Sequence, residues 1–249
     1  MKYSNKTSNY DLTIIVPIYN EIEGFDALGS TLKDFLPQAK KTTAILFVDD
    51  GSSDGSLDKI KSFCQENPHF YFIQHAKNSG LSAALKSGFE IVQSPLVGYI
   101  DADLQTNPED FNLLLDYTDN YQLVTGIRAS RKDTFFKKLQ SKVANSFRRM
   151  MTKDGATDTG CPLKIMHTDM AKKIPMFTGL HRFFPALVLM MGGTYKEMPV
   201  RHYPRVAGTS KYHLLNRLWG PFVDCFAYRW MKKRVLNTTI SDNNLQEEA

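Results

Sequence analysis

Five short apolar runs punctuate the first half of the chain: "LTIIVPIYN" (12–20), "TAILFVDDG" (43–51), "FYFIQH" (70–75), "LVGYIDAD" (96–103) and "QLVTGIR" (122–128). Each is rich in β-branched or aromatic residues and too short for a helix of ordinary length, so each reads as a strand. Between them, over about 21–36, 54–66, 80–93 and 108–118, apolar residues recur at helical spacing. Strands alternating with helices of this length form βαβ units. The pattern predicts an α/β fold: a mostly parallel sheet flanked by helices.

In such open sheets ligands bind beyond the carboxyl ends of the strands. Three polar clusters fall there: Tyr19-Asn20-Glu21, Asp49-Asp50-Gly51 and Asp101-Ala102-Asp103. Two aspartates at i and i+2 leaving a strand place both carboxylates on one side of the chain. Hard divalent cations want oxygen ligands held close together in that way. A turn or a helix cap is the competing explanation for an aspartate pair. Here the helix start is supplied instead by Asn107 as N-cap and Pro108 at the first helical position, with Glu109 and Asp110 in the first turn. In "VDDGSSDGS" (48–56) the glycines permit a tight turn, Asp49 or Asp50 can accept hydrogen bonds from base and ribose, and Asp54 is placed to cap the next helix.

After residue 130 the pattern is irregular. It suggests a basic amphipathic helix over 134–152, a turn "DGATDTGCP" (154–162), a helix around 180–191, and an extended segment over 194–204 that runs into the loop "RVAGTSKYH". The stretch 214–234 sets Leu215, Leu218, Trp219, Phe222, Phe226 and Trp230 on one helical face and ends in Lys232, Lys233 and Arg234. That is the pattern of a helix lying in a membrane interface, and equally of one packed on its own domain or on a homodimer partner. The expected organisation is a flexible terminus (1–10), one domain (11–213) in two halves (11–127 and 128–213), the amphipathic helix (214–234), and a flexible tail (235–249).

Composition narrows the classes. The 249 residues are 42% hydrophobic and 23% charged, as in an ordinary soluble domain. The three cysteines form no CxxC pair, which excludes a disulfide framework and suits a cytoplasmic protein. The net charge of +5 is unevenly spread. Nine cations against Asp133 alone lie between 128 and 153, and eight against Asp224 between 201 and 234, so an anionic partner should meet the second half. There is no GxGxxG, GxxxxGK[ST] or GxSxG, and the histidines lack HExxH spacing, which leaves dinucleotide, P-loop, hydrolase and zinc-protease readings without their residues.

The ordered set "IIVPIYNE" (14–21), "VDDGSSDGS" (48–56), "NSGLSAALKSGF" (78–89) and "YIDADLQTNPED" (99–110) with "VTGIR" (124–128) resembles the family-2 glycosyltransferases of the Rossmann-like GT-A fold. Within them it looks most like the polyprenyl-phosphate and dolichyl-phosphate branch. The resemblance spans about 11–213 and implies a nucleotide-binding half (11–127) and an acceptor half (128–213). It implies that Pro17, Tyr19, Glu21 and Asp49, with Asp50 close by, hold the nucleotide, and that Asp101, Ala102 and Asp103 form the metal-binding DxD element with Gln105 near the ion. Arg128 would face the acceptor phosphate, with Lys137 and Ser141 beside it; Arg205 and Lys211 would close over the diphosphate; Asp158, in "DTGCPLK" (158–164), matches the active-site acid. The implied activity is inverting, Mg²⁺- or Mn²⁺-dependent transfer from a nucleotide-diphosphate sugar to a polyprenyl phosphate, by an enzyme held peripherally at the cytoplasmic membrane face. A cell-surface saccharide or lipid headgroup is the alternative acceptor, and a non-catalytic nucleotide- and Mg²⁺-binding signalling module is the reading from another class. Nucleic acid is not among the expected partners.

Overall fold

A computed structural model of the chain describes residues 6–128, 146–204 and 216–236. Seven strands form one sheet in the order β3-β2-β1-β4-β6-β5-β7. They are β1 (Leu12–Ile18), β2 (Thr43–Asp49), β3 (Phe70–Gln74), β4 (Leu96–Tyr99), β5 (Leu123–Arg128), β6 (Lys164–His167) and β7 (Tyr195–Val200). Pairing is parallel throughout except at β6, which runs antiparallel to both β4 and β5.

The apolar runs are nearly continuous because both faces of the sheet are covered. Alternate residues part to opposite sides: Ile14, Val16, Ile45 and Phe47 join one core cluster, whereas Ile15, Leu46 and Val48 join the other. The first cluster packs under α1 (Phe25–Phe35), α2 (Ser56–Glu66) and α4 (Phe111–Leu115). The second packs under α3 (Leu81–Ile91), the helical residues 146–152 (α5), α6 (Thr168–Lys173), α7 (Phe184–Met190) and α8 (Asn216–Lys232).

The five expected strands are present. The sixth and the antiparallel crossover it makes were not anticipated, because "KIMH" is only four residues long and amphiphilic at both ends. The expected helix over 108–118 is a 3-10 turn, Pro108–Asp110, continued by the short α4; the Asn107 side chain does cap it, accepting from Glu109 N–H at 2.9 Å. Around 180–191 there is likewise a 3-10 turn, Leu180–Phe183, leading into α7. Of the basic helix expected over 134–152 only 146–152 is described.

Helix α8 packs on its own domain through one face and leaves another bare. Cys225 and Tyr228 are fully buried; Tyr228 stacks on Phe183 and donates to the Ala186 carbonyl. Phe222, Phe226 and Trp230 remain 40%, 51% and 59% exposed. Replacing Tyr228 with Ala is expected to lower unfolding free energy by about 3–4 kcal/mol, and Phe226→Ala by less than about 1 kcal/mol, because only the first opens a core cavity. Urea titration followed by circular dichroism checks both.

Candidate active site at the carboxyl edge of the sheet

β1 lies between β2 and β4, all three parallel, with Ile18 opposite Asp49 and Ile15 opposite Tyr99. The three polar clusters therefore leave the sheet on one edge. Pro17 belongs to β1 itself, opposite Val48. The first two loops are laced together: Asn20 N–H donates to Ser52 Oγ (3.0 Å), Ser53 N–H to Asn20 Oδ1 (2.8 Å), Glu21 N–H to Ser56 Oγ (2.9 Å) and Ile22 N–H to Asp54 Oδ2 (3.0 Å). Asp54 also accepts from the backbone and hydroxyl of Ser56, so it ties the start of α2 to the β1–α1 loop.

The adjacent Asp49 and Asp50 have different environments. Asp50 accepts from Ser79 N–H (2.9 Å), Gly80 N–H (2.7 Å) and His75 Nδ1 (2.7 Å), while His75 Nε2 bonds Ser87 Oγ (2.9 Å). Its oxygens thus fasten the loop before α3. Gly51 (φ 73°) makes this approach possible, since a Cβ there would stand 2.6 Å from the Lys77 backbone. Asp49 is fully buried; its Oδ2 accepts from Ser52 N–H (3.2 Å), and its Oδ1 has no hydrogen-bond partner. A buried unpaired oxygen is costly unless a donor arrives.

At the end of β4, Tyr99 O–H donates to Asp101 Oδ1 (2.5 Å) and Gln105 N–H to Asp103 Oδ1 (3.1 Å). Ala102 packs back against the core. Burial, reinforced by the negative charge of Asp103, pushes the Asp101 carboxyl up to about 6, against the Tyr99 hydrogen bond and the charges of Lys164 and Arg128. No group of three His, Cys, Asp or Glu side chains converges to hold a metal among the described residues. The Asp101–Asp103 pair still fits a hard divalent ion: two close carboxylates, one resisting ionisation, need a positive charge and offer oxygen donors only. Further ligands would have to come from a bound diphosphate.

Arg128, at the end of β5, meets Asp158 in a three-point bond: its backbone N–H, Nε and Nη2 donate at 3.1, 2.8 and 2.7 Å. Burial opposes ionisation of both groups, but their mutual bonding prevails, holding the Asp158 carboxyl below the usual carboxylate range and raising the Arg128 guanidinium. Gly160 gives the guanidinium room, for a Cβ there would lie 2.8 Å from Nη2. Lys164, opposite Tyr99 at the head of β6, is buried and donates to the Cys161 carbonyl; burial lowers its pKa. The sequence reading passed over Lys164, for without β6 it had no assigned place. It set His181 aside with the other histidines and passed over Arg182. Lys137, Ser141, Arg205 and Lys211 lie outside the described residues. A groove of about 410 Å³ lies behind the 104–109 segment against α1, lined by Thr31, Asp34, Gln38 and Tyr203, and includes none of the aspartates at the sheet edge.

Comparisons with known proteins bear on the family and on the fold. The chain is 31% identical, over 208 residues, to undecaprenyl-phosphate 4-deoxy-4-formamido-L-arabinose transferase of Pectobacterium carotovorum; the match takes in 83% of this chain and 64% of that relative's length. Among solved structures, it is similar to a mannosyltransferase of Pyrobaculum calidifontis in complex with GDP-Man and Mn²⁺ (TM-score 0.63, 17% identity, 94% of this chain and 67% of that one). It is also similar to glucosyl-3-phosphoglycerate synthase of Mycobacterium tuberculosis with Mn²⁺, UDP and glucosyl-3-phosphoglycerate (TM-score 0.65, 12% identity, 94% and 83%). The GT-A-type fold is thus shared with both structures. With the family model for glycosyl transferase family 2 matching residues 13–175, the chain belongs to that family.

Proposed function

We propose that the protein transfers a sugar, with inversion, from a nucleotide-diphosphate sugar to a polyprenyl phosphate. The observation that carries this is the convergence of Asp49, the Asp101–Asp103 pair and the Arg128–Asp158 pair on one sheet edge. The name of the Pectobacterium relative supports the acceptor class, and the Mn²⁺ of the structural neighbours supports a divalent ion.

Asp49 Oδ1 is the oxygen available to a base N–H at the floor of the nucleotide crevice, with Pro17, Tyr19 and Glu21 around it. Asp50 supports that crevice indirectly, through the 79–80 turn. Asp101 and Asp103, with Gln105 close by, would hold Mg²⁺ or Mn²⁺ together with the donor diphosphate. The bound ion supplies Lewis-acid stabilisation of the departing diphosphate. Arg205 and Lys211 would add donors to the same oxygens. In the transfer, an acceptor phosphate oxygen bonds to the sugar's anomeric carbon from the face opposite the diphosphate as the bond to the latter breaks. A phosphate monoester is largely dianionic at pH 7, its second pKa being about 6, so this step needs no general base. That fits Asp158, whose two oxygens both accept from Arg128: it orients Arg128 through Nε and Nη2, so that Nη1 would serve the acceptor phosphate, with Lys137 and Ser141 as further contacts.

Membrane contact at the cytoplasmic face is part of the proposal. No helix of the described residues is long and apolar enough to cross a membrane. The bare face of α8 continues into Phe147, stacked on Phe222 at 5.0 Å, and the helix closes on Lys232, with Lys233 and Arg234 in the turn after it. Aromatics beside cations suit an anionic bilayer surface, where each cation is worth about 1 kcal/mol.

The deciding assay offers radiolabelled nucleotide sugars and polyprenyl phosphates with Mn²⁺ and measures label in the organic phase. Transfer confined to water-soluble glycans would sink the acceptor assignment. In the same assay Asp103→Asn is expected to lose at least about a hundredfold in turnover, the scale of a single electrostatic contributor. For Asp101, a carboxyl raised to about 6 from an ordinary 3.8 adds stability that is complete below 3.8 and is lost as pH rises through 6. Hence Asp101→Asn should raise the metal-free melting temperature more at pH 7.5 than at pH 4, and the Mn²⁺-induced increase of the parent protein should be larger at pH 7.5 than at pH 5. Finally, co-sedimentation with vesicles containing phosphatidylglycerol should fall when Phe222, Phe226 and Trp230 are all changed to Ser; unchanged binding would remove the membrane contact.

A further inference from the structure

Three buried or half-buried cations stand near the acceptor side among the described residues, and they differ in what they hold. Arg128 is engaged by Asp158, and Lys164 by the Cys161 carbonyl. Arg182 is half-buried; its backbone N–H donates to the Gly179 carbonyl, but its guanidinium makes no hydrogen bond or ion pair among the described residues, and the charge of Asp224 acts on it from a distance. A guanidinium that has lost part of its water without gaining an acceptor is poised for an anion, and its fork matches phosphate oxygens.

Its position is well determined. Arg182 belongs to the turn Leu180–Phe183 that follows Gly179 (φ 90°). Ser82, in the first turn of α3, fastens that turn: its Oγ accepts from Gly179 N–H (3.0 Å) and hydrogen-bonds His181 Nδ1 (2.7 Å). His181 is pushed down to about 3 by burial and by the charges of Arg182 and Lys164, so the imidazole between the two cations is neutral. Lys164 in turn acts on Asp101 and Asp158. Because Ser82 opens α3 just beyond the carboxyl end of β3, the turn that carries Arg182 is tied to the same edge of the sheet as the site.

Asp224 of α8 approaches the same turn, since a Cβ on Gly179 would stand 2.6 Å from its Oδ2, and it forms no ion pair with Arg182. Asp224 lines a slot of about 250 Å³ whose other walls are Phe177, Leu180, Ala227, Trp230 and Met231. Phe177 and Trp230 are 61% and 59% exposed, so the slot is open to solvent. An anion would be repelled from the slot by Asp224 and drawn towards Arg182, whereas an apolar chain would gain by entering it.

We infer that Arg182 and this slot form a subsite for a lipid phosphate: the guanidinium takes phosphate oxygens, and the slot takes the first apolar unit of the chain. The inference rests on the polyprenyl-phosphate reading and adds to it a cation and an apolar wall that no family motif supplied. The donor diphosphate is the other source of phosphate oxygens that could meet Arg182, and the test separates them.

Binding is measured by thermal shift and titration for the parent protein, Arg182→Gln, Arg182→Lys and Ala227→Trp. The probes are farnesyl monophosphate, farnesol, inorganic phosphate, and UDP or GDP, whichever stabilises the parent more with Mn²⁺. Arg182→Gln should weaken farnesyl monophosphate about tenfold or more, the scale of one lost charge-assisted hydrogen bond, with Arg182→Lys intermediate and the nucleotide response unchanged. Ala227 is exposed, so Ala227→Trp should fold normally; it should weaken farnesyl monophosphate and leave inorganic phosphate and nucleotide responses as they were. Equal farnesyl monophosphate binding by Arg182→Gln and the parent overturns the subsite while leaving the acceptor class intact. Loss of the nucleotide response alone in Arg182→Gln assigns Arg182 to the donor and overturns it too. If the parent protein itself ignores farnesyl monophosphate, the polyprenyl reading falls and the subsite falls with it.

Discussion

Parallel pairing of β1 with β2 on one side and β4 on the other is the constraint on which the rest depends. Because strands in parallel register end on the same edge, the pairing collects Asp49, Asp101 and Asp103 from segments more than fifty residues apart in the chain. Their mutual repulsion and burial cost would disfavour that arrangement in isolation, and the raised pKa of Asp101 records it. The sheet supports the cost through two cores, one on each face, whose buried residues are almost entirely aliphatic and aromatic. The strand pairing thereby keeps these carboxylates gathered at one edge.

β6 supplies the opposite charge. By entering antiparallel between β4 and β5 it places Lys164 beside Tyr99 and Thr125, and the turn before it delivers Asp158 to Arg128. One edge thus carries acidic groups from the first half of the chain and basic groups from the second. The division follows the uneven charge along the sequence, and β6 is the strand that sets Lys164 against the end of β4. Asp158 illustrates the consequence. Matched to an active-site acid by resemblance, it has both carboxylate oxygens engaged by Arg128, which makes it a holder of the cation.

Helix α8 serves two surfaces at once. Cys225 and Tyr228 complete the core beneath the turn Leu180–Phe183, so the helix helps to position that turn, while Phe222, Phe226 and Trp230 stay outside. The two descriptions offered by its amphipathic pattern, packing on its own domain and offering an apolar face, are therefore compatible. A helix presents different residues every hundred degrees, and its aromatic content is enough for both.

The sequence by itself determined the first five strands, because runs buried on both faces must be apolar and short, and it singled out Asp101 and Asp103, because Asn107 and Pro108 provide the cap that would otherwise account for them. It also marked Asp49 and Asp50 without separating them. Only the tertiary structure divided that pair, fastening Asp50 to the 79–80 turn and leaving Asp49 Oδ1 unpartnered, since the partners come from loops some thirty residues away. The same holds for β6, Lys164 and Arg182. Four residues carry too little periodicity to announce a strand, and a lone cation in the sequence has no sign of whether an acid will meet it. Which charges are paired and which remain open is decided by three-dimensional contact, and here it separates Arg128 from Arg182.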